Sequence, residues 1–68
     1  MEYTIDADNI KCEGCASTIR EALGRIGGVH DVAVDIATGR VTVVAEEGLR
    51  DAITAALQAS GYPERNPG

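Results

Sequence analysis

The sequence predicts an α/β domain in which a small antiparallel sheet is covered on one face by two helices, and three observations carry that prediction. Apolar and polar residues alternate around Tyr3–Ala7, Val32–Ile36 and Val41–Ala45, the period-two pattern of strands with one wet face. Two further stretches, one holding Ala16, Ile19, Leu23 and Ile26 and the other Leu49, Ile53, Ala56 and Leu57, repeat apolar residues at helical spacing. Glycine-bearing breaks at Gly27-Gly28, Gly39, Gly48 and Gly61 punctuate the chain between these segments.

Taken in order, Tyr3, Ile5 and Ala7 alternate with Glu2, Thr4 and Asp6, and Asp8-Asn9 ends the first strand. Ile10 to Gly14 is expected as a loop, with Gly14 free to turn beside a ligand. The first helix is expected over Cys15–Arg25, with Arg20, Glu21 and Arg25 outside its apolar stripe. Gly24 weakens its last turn and Gly27-Gly28 ends it. His30–Ile36 and Val41–Ala45 flank the turn Ala37-Thr38-Gly39-Arg40, a hairpin signal that pairs strands two and three antiparallel. Glu46, Glu47 and Gly48 break the third strand, and the acids suit the positive end of a helix over Leu49–Ala59, which Ser60-Gly61 terminates.

The order strand, helix, strand, strand, helix, strand gives a ferredoxin-like βαββαβ sandwich, a four-stranded antiparallel sheet with both helices on one face. The last strand is expected to be short. Pro63, Glu64, Asn66 and Pro67 leave no alternation, and prolines suit an edge rather than a central strand. With no internal repeat or linker, residues 1–68 read as a single domain.

Composition narrows the function. Sixty-eight residues support one modest core, which leaves little for a deep catalytic cavity, so the chain is not expected to be an enzyme. Eleven acidic and six basic side chains give a net charge of −5, and no basic stripe is present to neutralise phosphates. The only aromatic residues are Tyr3 and Tyr62, too few to stack a nucleic-acid strand. The sequence has no secretion signal and no apolar run near about 18 residues, so a cytoplasmic protein with no direct membrane insertion is expected.

The chemistry rests with Cys12-Glu13-Gly14-Cys15, between the first strand and the first helix. Two cysteines this close cannot staple layers of a fold together, so they read as reactive or metal-binding thiols. Helix-start amides favour a thiolate, and Lys11 adds a positive charge, while Asp8 and Glu13 oppose it. Two soft sulfur donors suit Cu(I), which accepts few ligands. Structural Zn²⁺ needs four, so Zn²⁺ or Cd²⁺ would need help from carboxylates such as Asp8 or Glu13. A thiol–disulfide redox role also fits the spacing, although the chain is short for such a module and no aromatic precedes Cys12. His30 is expected at the far end of the domain, as an ordinary surface histidine.

The chain resembles the heavy-metal-associated domain family, especially its free-standing copper chaperones and the amino-terminal domains of metal-pumping ATPases. The resemblance is carried by Cys12-Glu13-Gly14-Cys15 after strand one, Gly28-Val29 before strand two, Gly39 in the hairpin and Ser60-Gly61-Tyr62 after helix two. It implies that Cys12 and Cys15 are the metal ligands, that Cu(I) is held in a near-linear site, and that it passes by ligand exchange to a like domain. The implied partners are a metal-pumping ATPase domain or a copper-responsive regulator, with a metal-bridged homodimer as a further arrangement. By position, Tyr62 resembles the aromatic that shields or tunes the loop in bacterial chaperones; Lys11 and Asp8 complete the expected surroundings. Two departures stand out: Ile10 where the family usually has methionine, and Lys11 where it has a small or polar residue. Ile10 can keep the apolar anchor. Carriers of mercury, zinc and cadmium share the scaffold, so the resemblance leaves Hg, Zn and Cd beside Cu(I).

Overall fold

A computed structural model describes residues 1–65. Strand β1 (Glu2–Asp6) is followed by helix α1 (Glu13–Gly24), the hairpin of β2 (Val29–Asp35) and β3 (Arg40–Ala45), and helix α2 (Arg50–Ala59). The sheet order is β1-β3-β2 with both pairings antiparallel, so the first two strands run parallel with β3 between them. This is the ferredoxin-like arrangement.

The expected fourth strand shrinks to a single antiparallel bridge between Ala7 and Glu64, beside β1. Proline at position 63 has no N–H to offer a ladder, which limits pairing there. Asn66 and Pro67, which also entered the expectation, lie outside the described residues.

Alternation places Ile5 and Ala7 of the first strand segment, and Val41, Val43 and Ala45 of β3, in one core with Ile19 and Leu23 of α1 and Ile53 and Leu57 of α2. Thr4 and Val44 lie on the other, uncovered face. One feature of β2 escapes simple alternation. Val29 and Val32 both pack against the core although three positions separate them, which a regular strand forbids. A bulge between Val29 and Asp31 absorbs the extra residue and restores the phase.

Helix α1 starts two residues earlier than its apolar stripe suggests, because Glu13 and Gly14 already form its first turn. Gly14 has no positive φ and is therefore a helical residue rather than the expected turn-maker. The positive φ near the thiols belongs to Asn9, at 72°. At the other end, Arg25 caps α1 in right-handed geometry and Gly28, at φ 96°, reverses the chain three residues later. No helix among the described residues is long and apolar enough to cross a membrane.

The glycines give a direct test of this backbone. Gly39 adopts φ 75°, and a Cβ built there would lie 2.8 Å from the carbonyl oxygen of Ala7, a backbone atom with little room to yield. Gly24 closes α1 facing open space. Gly39→Ala is expected to destabilise the domain by about 1–3 kcal/mol. Gly24→Ala is expected to stabilise it by about 0.5–1 kcal/mol. Urea unfolding of the two variants reads both signs.

Candidate metal centre

The thiol loop is gripped at both ends. Ile10 inserts into the core at 9% exposure and Ala16 is fully buried, while Lys11, Cys12, Glu13 and Gly14 are exposed. Cys12 is the N-cap of α1 in extended geometry (φ −157°, ψ 173°), and its side chain does not cap the helix. Its carbonyl does that work, accepting from Cys15 N at 3.0 Å and Ala16 N at 3.2 Å. The sulfur of Cys12 is therefore left free while its backbone is fixed.

The first helical turn then sets the pair. Residues three apart on a helix are neighbours, and the two Sγ atoms lie 3.7 Å apart with both thiols free. Gly14 contributes openness: a Cβ there would stand in van der Waals contact with Cys12 Sγ, at 3.6 Å, and its absence leaves that side of the sulfur open.

The two sulfurs differ in setting. Cys12 is exposed, whereas Cys15 is half-buried and packs against the core. The Cys15 thiol donates to the Asn9 carbonyl at 3.7 Å. Its pKa is drawn down from 9.0 to about 7, chiefly by the Tyr62 hydroxyl directed at it, then by the backbone amide of Lys11, against an opposing push from burial. The close contacts of this sulfur, at 3.7 Å, are to Cys12 and Asn9, so the phenol acts as a nearby dipole more than as a tight ligand. The reciprocal effect raises the Tyr62 pKa, since losing its proton would forfeit its hydrogen bond to Cys15, and burial and the neighbouring thiolate push the same way. Lys11 thus acts on Cys15 through its main chain, where the sequence suggested its ammonium.

Tyr62 reaches this position because α2 ends in a Schellman motif. Gly61, at φ 94°, follows the Ser60 cap; Gly61 N donates to Gln58 O at 3.1 Å and Tyr62 N to Leu57 O at 2.8 Å. The ring packs against the core, and the hydroxyl contributes to the lowered Cys15 pKa.

The structure does not bring Asp8 to the sulfurs. Its carboxylate bonds Arg65 Nε at 2.9 Å, and among the described residues no group of three His, Cys, Asp or Glu side chains is placed to hold a metal. His30 sits at the far end, where its Nε2 meets Glu46 Oε2 at 2.6 Å and holds the Glu46 carboxyl below its usual pKa. Two surface hollows of about 330 and 310 Å³, one beside His30 and the other beside Gln58 and Pro63, border neither cysteine. The candidate centre is an exposed loop with two donors, not a cavity.

Asn9 is the residue that sequence reasoning passed over. Its carbonyl receives the Cys15 thiol and its Nδ2 donates to Gly61 O at 3.1 Å, which ties the loop to the end of α2. The available signal was its residue type at a strand end, since asparagine tolerates left-handed backbone better than other residues with a Cβ.

Known proteins share this sequence pattern and fold. The zinc/cadmium/lead-transporting P-type ATPase of Escherichia coli K12 is 31% identical over 64 residues, 94% of this chain and 9% of the ATPase. Copper-transporting ATPase 2 of Rhizobium meliloti is 35% identical over 63 residues, 90% of this chain and 8% of the ATPase. The chain therefore spans less than a tenth of either protein's length. Among solved structures, the CsoZ metallochaperone is 28% identical with a TM-score of 0.88, covering 97% of both chains. The heavy-metal-associated domain model matches residues 4–63, and with the fold and the paired thiols already in place the chain belongs to the heavy-metal-associated domain family, whose domains are non-catalytic metal-binding and transport modules.

Proposed function

We propose that residues 1–68 form a single metallochaperone module that binds Cu(I) through the thiolates of Cys12 and Cys15 and passes it by ligand exchange to a partner domain. The observation that carries this reading is the donor count: two sulfurs 3.7 Å apart on an exposed loop, with no cluster of three metal-binding side chains among the described residues.

Geometry and donor number pull in different directions, and donor number decides. With metal–thiolate bonds of about 2.3 Å, a tetrahedral ion spans about 3.8 Å between two sulfurs and a linear one about 4.6 Å. The resting separation is thus nearer the tetrahedral edge. Opening it by about 1 Å needs only a side-chain rotation of the exposed Cys12, well within ordinary rotamer freedom. Among the described residues no further side-chain donor stands with the pair to complete the four that structural Zn²⁺ takes. Cu(I) also prefers sulfur to oxygen.

Charge supports the same choice. Arg25, Arg40, Arg50 and Arg65 are committed to ion pairs and Arg20 bonds the Ser17 hydroxyl, so Lys11 is the cation on the thiol loop itself that can offset the negative charge of a bis-thiolate Cu(I) centre. Transfer follows from the open shell: an incoming thiolate adds to the metal before a resident one leaves, with no change of oxidation state. The ATPase relatives point to a pump domain as recipient; a copper-responsive regulator or a second copy of the chain would present the same chemistry. A reducing compartment such as the cytoplasm suits two free thiols.

A second reading has the same loop carrying Zn²⁺, Cd²⁺ or Hg²⁺, and the zinc/cadmium/lead-transporting relative favours it for zinc and cadmium. Anaerobic competition of each ion against a chelator of known affinity compares the two readings, with Cu(I) expected to bind the monomer more tightly than Zn²⁺ or Cd²⁺.

Cys12→Ser/Cys15→Ser is expected to keep the fold, because neither side chain is fully buried and serine preserves the capping carbonyl. Its Cu(I) affinity should fall by more than about 100-fold, the loss that even an outer-sphere partner can reach. Unchanged affinity in that competition defeats the assignment.

The Cys15 pKa of about 7 predicts a second result. Alkylation of Cys15 by iodoacetamide in the metal-free protein should rise with pH to half its plateau near 7, because only the thiolate reacts. Tyr62→Phe removes the largest lowering influence, so its half-point should move upward, toward 9.0. Mass spectrometry of the alkylated peptide follows each sulfur separately.

A further inference from the structure

The segment after α2 is bound to the strand that leads into the thiol loop. Arg65 makes three bonds there: its N donates to Asp6 O at 2.7 Å, its Nε to Asp8 Oδ1 at 2.9 Å and its Nη2 to Ala7 O at 3.0 Å. Asp8 N donates back to Pro63 O at 2.9 Å, and Glu64, bridged to Ala7, is held by Arg50 at 2.8 Å. At the near end, Asn9 Nδ2 bonds Gly61 O. Residues 61–65 are therefore tied at both ends to residues 6–9, and Tyr62 lies inside the tied segment.

The Arg65 guanidinium fits a shaped seat. The missing Cβ of Gly39 makes room for it, since a Cβ there would lie 2.9 Å from Nη2. Arg65 and Asp8 are each about half exposed, at 46% and 47%, so their ion pair alone contributes little. The partly buried bond to Ala7 O and the backbone bond to Asp6 act with it. Such a clasp holds a strap closed without making it permanent.

We propose that Arg65 is a positioning residue of the metal centre: its clasp on Asp8 and Ala7 O holds the 61–65 strap closed, keeps Tyr62 over Cys15, and so slows exchange of the bound metal. The inference rests on the reading of Cys12 and Cys15 as the ligands. Associative exchange requires an incoming thiolate to reach the metal, and a ring on the Cys15 side closes one approach. Opening the strap frees that approach. Tyr62 supplies no ligand, so at pH 9.5, where the Cys15 thiol is mostly ionised with or without the phenol beside it, entry and exit both accelerate while the equilibrium affinity stays nearly fixed.

The test loads the protein with Cu(I) and follows transfer to an excess of a chromophoric chelator by stopped flow, with equilibrium competition and urea unfolding measured in parallel. At pH 9.5, Arg65→Gln is expected to speed transfer by about fivefold, the rate equivalent of losing an exposed ion pair, and to change the affinity by less than about twofold. Asp8→Asn should reproduce the effect from the other side, and Arg65→Lys, which keeps the charge facing Asp8, should restore part of the wild-type rate. If Arg65→Gln fails to fold, Asp8→Asn provides the same readout. An unchanged transfer rate, or a rate and affinity that fall together with stability, overturns the proposal. The nuclear Overhauser contact between the Tyr62 ring and Cys15 Hβ in the metal-free protein is the second measurement. It should weaken in Arg65→Gln, and its persistence at full strength also overturns the proposal. Should the wild-type chain fail to retain Cu(I), the carrier reading falls, and this metal-free contact still decides whether Arg65 holds the strap.

Discussion

The chemistry of this domain depends on two buried residues that flank the exposed thiols, Ile10 and Ala16. Between them the chain leaves the core, turns past Cys12 and re-enters as the first turn of α1. Burial of apolar side chains contributes on the order of 1.5–3 kcal/mol when complete, enough to hold the base of a short loop still while its tip stays wet. The sulfur separation follows from that anchorage, because the Cys12 carbonyl is hydrogen-bonded into a helix whose geometry places Cys15 beside it. Isoleucine at position 10 keeps the apolar seat, but its branched chain has fewer conformations than an unbranched thioether, which makes the base of this loop stiffer.

On that base, the return of the chain from α2 makes the two sulfurs unequal. The Schellman turn at Ser60-Gly61 delivers Tyr62 to one side of Cys15, and Asn9 bonds the Cys15 thiol and the Gly61 carbonyl together. Cys12 keeps only its neighbour. A thiolate stabilised at Cys15 near neutrality reduces proton competition for the first metal–sulfur bond, since a metal must displace the proton from any thiol it binds. On the proposed reading, the exposed Cys12 would then adapt to whatever angle the ion prefers.

Most of the scaffold was legible because alternation and helical spacing are strong signals over whole segments: Tyr3–Ala7, the hairpin about Gly39 and the two apolar stripes all fall where the structure has them. The helix starts were less legible. An amphipathic stripe reports buried turns, and the first turn of α1 has only Ala16 to bury. The β2 bulge and the single-bridge fourth strand were hidden because both arise from pairing, which one segment's pattern cannot report. At the site, the cysteine pair and Tyr62 could be read from spacing and chain return. Asn9 and Arg65 could not, because each acts through atoms far away in sequence: Asn9 bonds a residue 52 positions on and Arg65 one 57 positions back.

The same structure explains how a metal could come and go without the fold following it. Small metal domains that use their ion as a staple unfold when it leaves, because binding energy there is folding energy. Here the core is made of aliphatic side chains from three strands and two helices, and among the described residues none of the buried side chains is polar or charged. The cysteines lie at its margin and close a loop of only a few residues, so bridging them with a metal restrains the unfolded chain very little. Folding and loading are in this way nearly independent. A carrier needs that separation, since a partner then competes only against the metal–sulfur bonds and not against the stability of the domain.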